Sequence, residues 1–227
     1  MTRSGKRGRA DSEKRLRKNR GRKESSARWL TRQLNDPYVK RAKADGYRSR
    51  AAYKLAELDE RFNFVRQARH VVDLGIAPGG WAQLVRILSP KAEVVGIDLL
   101  PTEPIEGVTI FEHDFMADDA PEMISQALGA APDLVLSDMA ANTVGHKQTD
   151  HLRTMGLVEA AADFAIENLA PGGAFVAKVF AGGTDSALLA RLKRHFTSVK
   201  HAKPPASRKG SSEWYVIAQK FKVGPNG

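Results

Sequence analysis

VVDLGIAPGGWAQLVRILSPKAEVVGIDLL, residues 71–100, reads as a short apolar strand, a glycine-rich turn, a helix and a second apolar strand. The runs VVDLG (71–75) and EVVGIDLL (93–100) are short and almost continuously apolar, as strands buried on both faces must be. WAQLVRIL between them has helical spacing, so the stretch forms a right-handed strand–helix–strand unit with parallel strands. The pattern continues downstream. VTIFEHDF (108–115), DLVLSDM (133–139), GAFVAKVF (173–180), SVKHAK (198–203) and EWYVIAQKF (213–221) predict further strands. PEMISQAL, HLRTMGLVEAAADFAIENL and DSALLARLKRHF predict the helices between them. The expected fold is α/β and Rossmann-like, a seven-stranded, mostly parallel sheet with helices on both faces.

Upstream of the sheet, SARWLTRQLN has helical spacing at Trp29, Leu30 and Leu34, and Asp36-Pro37 closes that helix. SRAAYKLAELDERF predicts another, capped by Ser49, with an apolar stripe of Ala51, Leu55, Leu58 and Phe62. Beyond Met1, residues 1–25 hold one large apolar side chain, Leu16, and cannot bury enough surface to offset ordering entropy. The expectation is a disordered basic extension over 1–25 and a single domain over 26–227.

The 227 residues carry a formal net charge of +10, unevenly placed. Residues 1–25 hold 11 basic and 3 acidic side chains, and residues 26–70 hold 11 and 5. Residues 71–177 reverse this with 4 and 16, and residues 178–227 return to 10 and 2. Two basic flanks around an acidic middle point to a polyanionic partner, because Lys and Arg displace counterions from phosphates. The absence of cysteine excludes disulfides and thiolate metal cages, and the histidines share no ligand motif, so no metal site is expected. No apolar run is long enough to span a membrane and the first residues do not read as a signal peptide, which makes the cytoplasm the expected location.

Ligands of open parallel sheets collect beyond the carboxyl ends of the strands. There, Gly75, Gly79 and Gly80 let the backbone turn tightly, but their spacing is not that of dinucleotide sites, and Pro78 removes an amide. Asp98 ends the second strand, where a carboxylate can accept both hydroxyls of a ribose. Asp114 ends the third, where a side chain can meet the amino edge of an adenine. A nucleoside without a phosphate requirement fits better than NAD, and S-adenosyl-L-methionine is the expected cofactor.

DLGIAPGGWAQ, GIDLLP, HDF, LSDMAAN, PGGAFVAKVF and SSEWYV, in this order, resemble the FtsJ-type family of ribosomal RNA ribose 2′-O-methyltransferases over about residues 28–222. Two neighbouring positions depart from its pattern: Ile76 stands where the family often has a small residue, and Ala141 where proline is common. The resemblance implies a class I methyltransferase fold and a catalytic set of Lys54, Asp138, Lys178 and Glu213. It implies cofactor contacts at Gly79, Trp81, Asp98, Asp114 and Asp138. It further implies a uridine of 23S ribosomal RNA as substrate, in the A loop of the 50S subunit, and nothing demands more than a monomer. Another RNA as target, or a non-catalytic assembly factor on the same fold, are the competing readings.

Methyl transfer from a sulfonium is an in-line displacement whose leaving thioether needs no proton, so alignment and the hydroxyl proton are the enzyme's tasks. Lys178 is either a base or a charged group that steers the oxygen lone pair. RNA contacts are expected from Arg28, Arg32, Lys40, Arg41, Lys43, Arg48 and Arg50 on one side of the chain. On the other they are expected from Arg191, Lys193, Arg194, Lys200, Lys203, Arg208 and Lys209. Tyr38 and Tyr47 offer stacking faces, and HAKPPASRKGSSE (201–213) reads as a mobile loop over the acceptor strand.

Overall fold

The apolar runs close into one sheet. In the computed structural model, which describes residues 35–141, 147–180, 186–208 and 210–222, the strands are β1 (His70–Leu74), β2 (Glu93–Asp98), β3 (Val108–Glu112), β4 (Leu134–Ser137), β5 (Ala174–Phe180), β6 (Phe196–Ala202) and β7 (Glu213–Phe221). Their order is β3-β2-β1-β4-β5-β7-β6, and β7 alone runs antiparallel to its neighbours. The order reverses at β1, which pairs with β2 on one side and β4 on the other, so the crevice between their carboxyl ends is the switch point.

Alternate residues of each strand feed two apolar layers. Val71, Val94, Leu134, Val176 and Ile217 meet α2 (Ala51–Phe62) and α3 (Gly80–Leu88) through Leu55, Leu58, Leu84 and Val85. Val72, Val95, Val135, Phe175 and Val216 meet α4 (Ala120–Leu128), α5 (Lys147–Asn168) and α6 (Ser186–His195) through Ile124, Phe164 and Leu192. Both faces of the inner strands are covered, which is why those strands read as apolar runs rather than as alternation, whereas the edge strands β3 and β6 are half-exposed. The helix at 51–62 starts two residues after the expected cap. Arg50 is its first flanking residue, and the Ser49 hydroxyl accepts from the Ala51 amide at 3.3 Å.

Most of the helix expected upstream of Asp36, together with residues 1–34, lies outside the described residues. Asn35 is helical and Asp36 is not, so the chain does break there. Asp36-Pro37 also begins a helix that the apolar spacing does not announce. This is α1 (Pro37–Ala44), with the Asp36 carboxylate accepting from the Tyr38 amide at 3.0 Å and Pro37 in the first turn. Among the described residues no helix is long and apolar enough to cross a membrane.

Candidate active site

A cleft of about 550 Å³ opens beyond the carboxyl ends of β1, β2, β3 and β4. Its walls include Gly75 and Ala77 after β1, Asp98 at the end of β2, Asp114 after β3, Asp138 after β4, and Arg153 and Gly156 of α5. Asp98 ties two walls together: one carboxylate oxygen accepts from the Ala77 amide and the other from the Leu100 amide, both at 2.9 Å. Asp114 accepts from the Met116 amide at 2.9 Å and is exposed to the cleft mouth. Gly75 (φ +81°) has no room for a side chain, because a Cβ there would lie 2.7 Å from Met139 Cγ. Gly79 (φ +103°) is the flanking residue of α3 and leaves that helix without a side-chain cap. Ile76, where the FtsJ-type pattern is smaller, occupies the space that Gly96 leaves open on β2.

Neither Gly79 nor Trp81 is part of the cleft wall. The Trp81 ring is buried, donates from its indole nitrogen to the Ala51 carbonyl at 2.8 Å and packs on Tyr215 with centroids 5.7 Å apart. Beneath the glycine turn lies Asp73, 1% exposed, with neither carboxylate oxygen in a well-aligned hydrogen bond. Burial, then the nearby Asp138 and Asp98 carboxylates, push its carboxyl up to about 8, with the Ala82 amide pulling weakly the other way.

Lys54, Asp138, Lys178 and Glu213, scattered over 160 positions of sequence, come together beside this cleft. Lys54 on α2 reaches Glu213 at 2.5 Å, and Lys178 on β5 reaches the Asp138 carboxylate at 3.2 Å while also donating to the Asp138 main-chain carbonyl. Tyr215 joins the two pairs. Its hydroxyl lies 3.0 Å from Asp138 and 3.1 Å from Glu213, and accepts from Lys54 at 3.3 Å. It stands opposite Lys178 in the β5–β7 register and two residues from Glu213, which puts all three on one sheet face. Burial first, and then the two carboxylates, hold the phenol well above its ordinary range, so it stays protonated. Having one proton, it donates to one carboxylate at a time. Tyr215 was not among the expected site residues, although Glu213-x-Tyr215 in a strand carries the signal.

The described residues of the loop between β6 and β7 are packed against the protein, which corrects the expectation of a mobile cover there. Pro204, Ala206 and Ser207 are buried, the Ala206 amide donates to Glu57 at 2.6 Å, and Arg208 reaches Asp36 at 3.1 Å. Several expected RNA contacts are likewise engaged within the protein. The Arg48 guanidinium donates to the carbonyls of Pro78, Glu103 and Pro104, and Arg191 pairs with Asp163. Tyr38 and Tyr47 pack against Tyr53, with centroids 5.6 and 5.4 Å away, so they are half-buried members of an aromatic cluster. Lys43, Lys193, Arg194 and Lys200 are exposed. Arg28, Trp29, Arg32 and Lys209 lie outside the described residues.

The sequence profile of the FtsJ-like methyltransferase family matches residues 47–221, which spans the cleft and all four charged residues. The chain belongs to the FtsJ-like methyltransferase family. Its FtsJ-like relatives include ribosomal RNA large subunit methyltransferase E of Novosphingobium aromaticivorans, 74% identical over 93% of this chain and 96% of that one. The protein of the same name from Erythrobacter litoralis is 72% identical over 98% of this chain and 99% of its own length. Among solved structures, a protein of Plasmodium falciparum described as a ribosomal RNA methyltransferase superposes with a TM-score of 0.69. It is 28% identical and covers 78% of this chain and 100% of its own.

Proposed function

We propose that this FtsJ-like protein transfers a methyl group from S-adenosyl-L-methionine to the ribose 2′-hydroxyl of a uridine in 23S ribosomal RNA, in the A loop of the 50S subunit. One observation carries the reading: Asp138 belongs both to the cleft and to the Lys54–Glu213–Tyr215–Lys178 cluster, so a nucleoside pocket adjoins a set of groups suited to a hydroxyl. The names of the relatives support the ribosomal RNA target. The cytoplasm is where such a particle is met, and a monomer suffices.

The cleft residues fit the cofactor. Asp98 and Asp114 each keep lone pairs free for ribose hydroxyls and an adenine amino group, and the carboxylates of Asp98, Asp114 and Asp138 in the cleft wall favour a cationic ligand. The first turn of α3, which includes Trp81, has no side-chain cap and favours a carboxylate, while Gly79, whose own N–H is taken by the Ile76 carbonyl, supplies the backbone turn that leads into it. S-adenosyl-L-methionine, when bound, supplies a methyl on a positively charged sulfur whose departure needs no acid. Lys178 commits two of its three donors to Asp138 and has one left to hold the acceptor oxygen and aim its lone pair. We assign it as a charged positioning group. The Asp138 carboxylate, beside Lys178 and Tyr215, would be the adjacent acceptor for the proton that the hydroxyl oxygen has to give up on taking the methyl. Lys54 and Glu213 fix the far side of the cluster through Tyr215.

The test is incubation with methyl-labelled S-adenosyl-L-methionine and undermethylated 50S subunits, followed by mapping of the modified nucleotide. Label on one uridine ribose is expected, and label on a base or none at all overturns the reading. Lys178→Ala should lower the rate by about 10²-fold or more while cofactor affinity, measured by calorimetry, stays near that of the wild type.

A further inference from the structure

Asp36 lies outside the α/β sandwich, at the start of α1, yet it is only 8% exposed and is held on three sides. One carboxylate oxygen caps α1 through the Tyr38 amide. The other meets two guanidinium groups, those of Arg50 and Arg208. Arg50 is four residues before Lys54 on the entry to α2, and Arg208 is five before Glu213 in the β6–β7 loop. The second arm of Arg50 donates to the Ala206 carbonyl. Glu57 closes the ring, accepting from the Ala206 amide at 2.6 Å and from the Tyr38 hydroxyl at 3.3 Å. Next in that loop, the buried Ser207 hydroxyl donates to Glu213 at 3.1 Å, on the same carboxylate oxygen that Lys54 and Tyr215 contact.

From this geometry we propose that Asp36 is a positioning residue for the methyl-transfer reaction, setting Glu213 and Lys54 through Arg50 and the loop residues Ala206, Ser207 and Arg208. The inference rests on the function proposed above. Its physical basis is charge balance. Two guanidinium groups stay charged when brought together, and burial and the neighbouring Arg208 both pull the Arg50 group below its ordinary range. With Asp36 neutral they repel, the loop loses its tie to α2, and Ser207 releases the oxygen it shares with the lysine. Asp36 touches neither the cleft nor the cluster. A merely structural role would lower stability and leave turnover by the folded enzyme intact, whereas a positioning role lowers turnover.

The experiment compares full-length wild type with Asp36→Asn, Ser207→Ala and Asp36→Asn/Arg208→Gln on undermethylated 50S subunits. Asp36→Asn should reduce kcat about 10- to 100-fold, as displacement of a catalytic group does, with cofactor affinity unchanged. Ser207→Ala cuts only the last link and should reduce kcat in the same direction, so it carries the test if Asp36→Asn does not fold. The double variant should be no slower than Asp36→Asn, because both changes break one chain of interactions. Mass-spectrometric footprinting of Lys54 with an amine reagent reads the same displacement without turnover, and severalfold greater labelling is expected in Asp36→Asn or Ser207→Ala. Wild-type kcat and Lys54 labelling in these single variants would overturn the inference. A wild-type protein that leaves ribose unlabelled, with Lys54 still more reactive in the variants, would instead overturn the proposed function and leave the positioning intact.

Discussion

At the scale of single residues, the site depends on groups whose ionic state the fold decides. Asp73 gives up its proton near 3.8 in an unfolded chain and near about 8 in the folded one. Between those values the folded state binds more protons, so this residue makes stability fall as pH rises across the window, with no further change outside it. Asp73→Asn keeps the shape and removes the titration, so thermal melts between pH 4 and 8 should show a shallower decline than the wild type. Tyr215→Phe deletes the link between the two Lys–carboxylate pairs, while the half-buried Asp138 and Glu213 carboxylates keep their lysines. Denaturant titration should show a loss of about 1–3 kcal/mol, and turnover on 50S subunits should drop about tenfold or more. Lys54, Asp138, Lys178 and Glu213 were legible from their motifs. Tyr215 and Asp36 were not: alternation assigns a strand residue to a face but does not say what stands opposite, and an Asp before Pro reads first as a helix boundary.

At the scale of elements, all seven strands fall on the stretches expected of them: the inner ones because a strand covered on both faces is apolar at most positions, while the edge strands β3 and β6 are half-exposed. Helix α1 escapes this logic: it buries little beyond Ala42 and is held by polar interactions around its cap. The β6–β7 loop misled for the same reason. Its Pro, Gly and Ser content suggests looseness, but composition is silent on the carboxylates of Asp36 and Glu57 that fasten it. The glycine turn before α3 is sensitive to its backbone alone. Gly79→Ala places an L side chain at φ +103° and 2.6 Å from Ile105, so a loss of about 1–3 kcal/mol in stability is expected in denaturant titration. Cofactor affinity should weaken with it, since the turn leads into the first amides of α3.

For the molecule as a whole, charge and chemistry are divided. The acidic middle, residues 71–177, supplies the cleft carboxylates, and the basic segments on either side supply both lysines of the cluster. Packing withdraws part of that positive charge from solvent, because Arg48, Arg50, Arg191 and Arg208 are held by carbonyls or carboxylates of the protein itself. Residues 1–25, with 11 basic and 3 acidic side chains, are expected to add to the attraction for a polyanion. Deleting them should weaken binding to 50S particles and flatten its dependence on salt, by about 0.7–0.9 in the log–log slope for each phosphate that the segment neutralises. Unchanged affinity and slope would assign the segment to solubility.

The order of strands and helices, the position of the glycine turn and the residue types at the strand ends were set by the sequence itself, since periodicity and backbone freedom are local properties. Which of those residues meet was decided only by the tertiary structure. Pairing of β5 with β7 brings Lys178 opposite Tyr215, and packing of α2 on the sheet brings Lys54 to Glu213. The reach of a side chain across the sheet depends on register and layer, which no local pattern encodes. The same holds for charge: Asp73 and Asp36 are alike as letters. One is buried without a partner among like charges and is pushed towards neutrality, while the other is buried between two arginines.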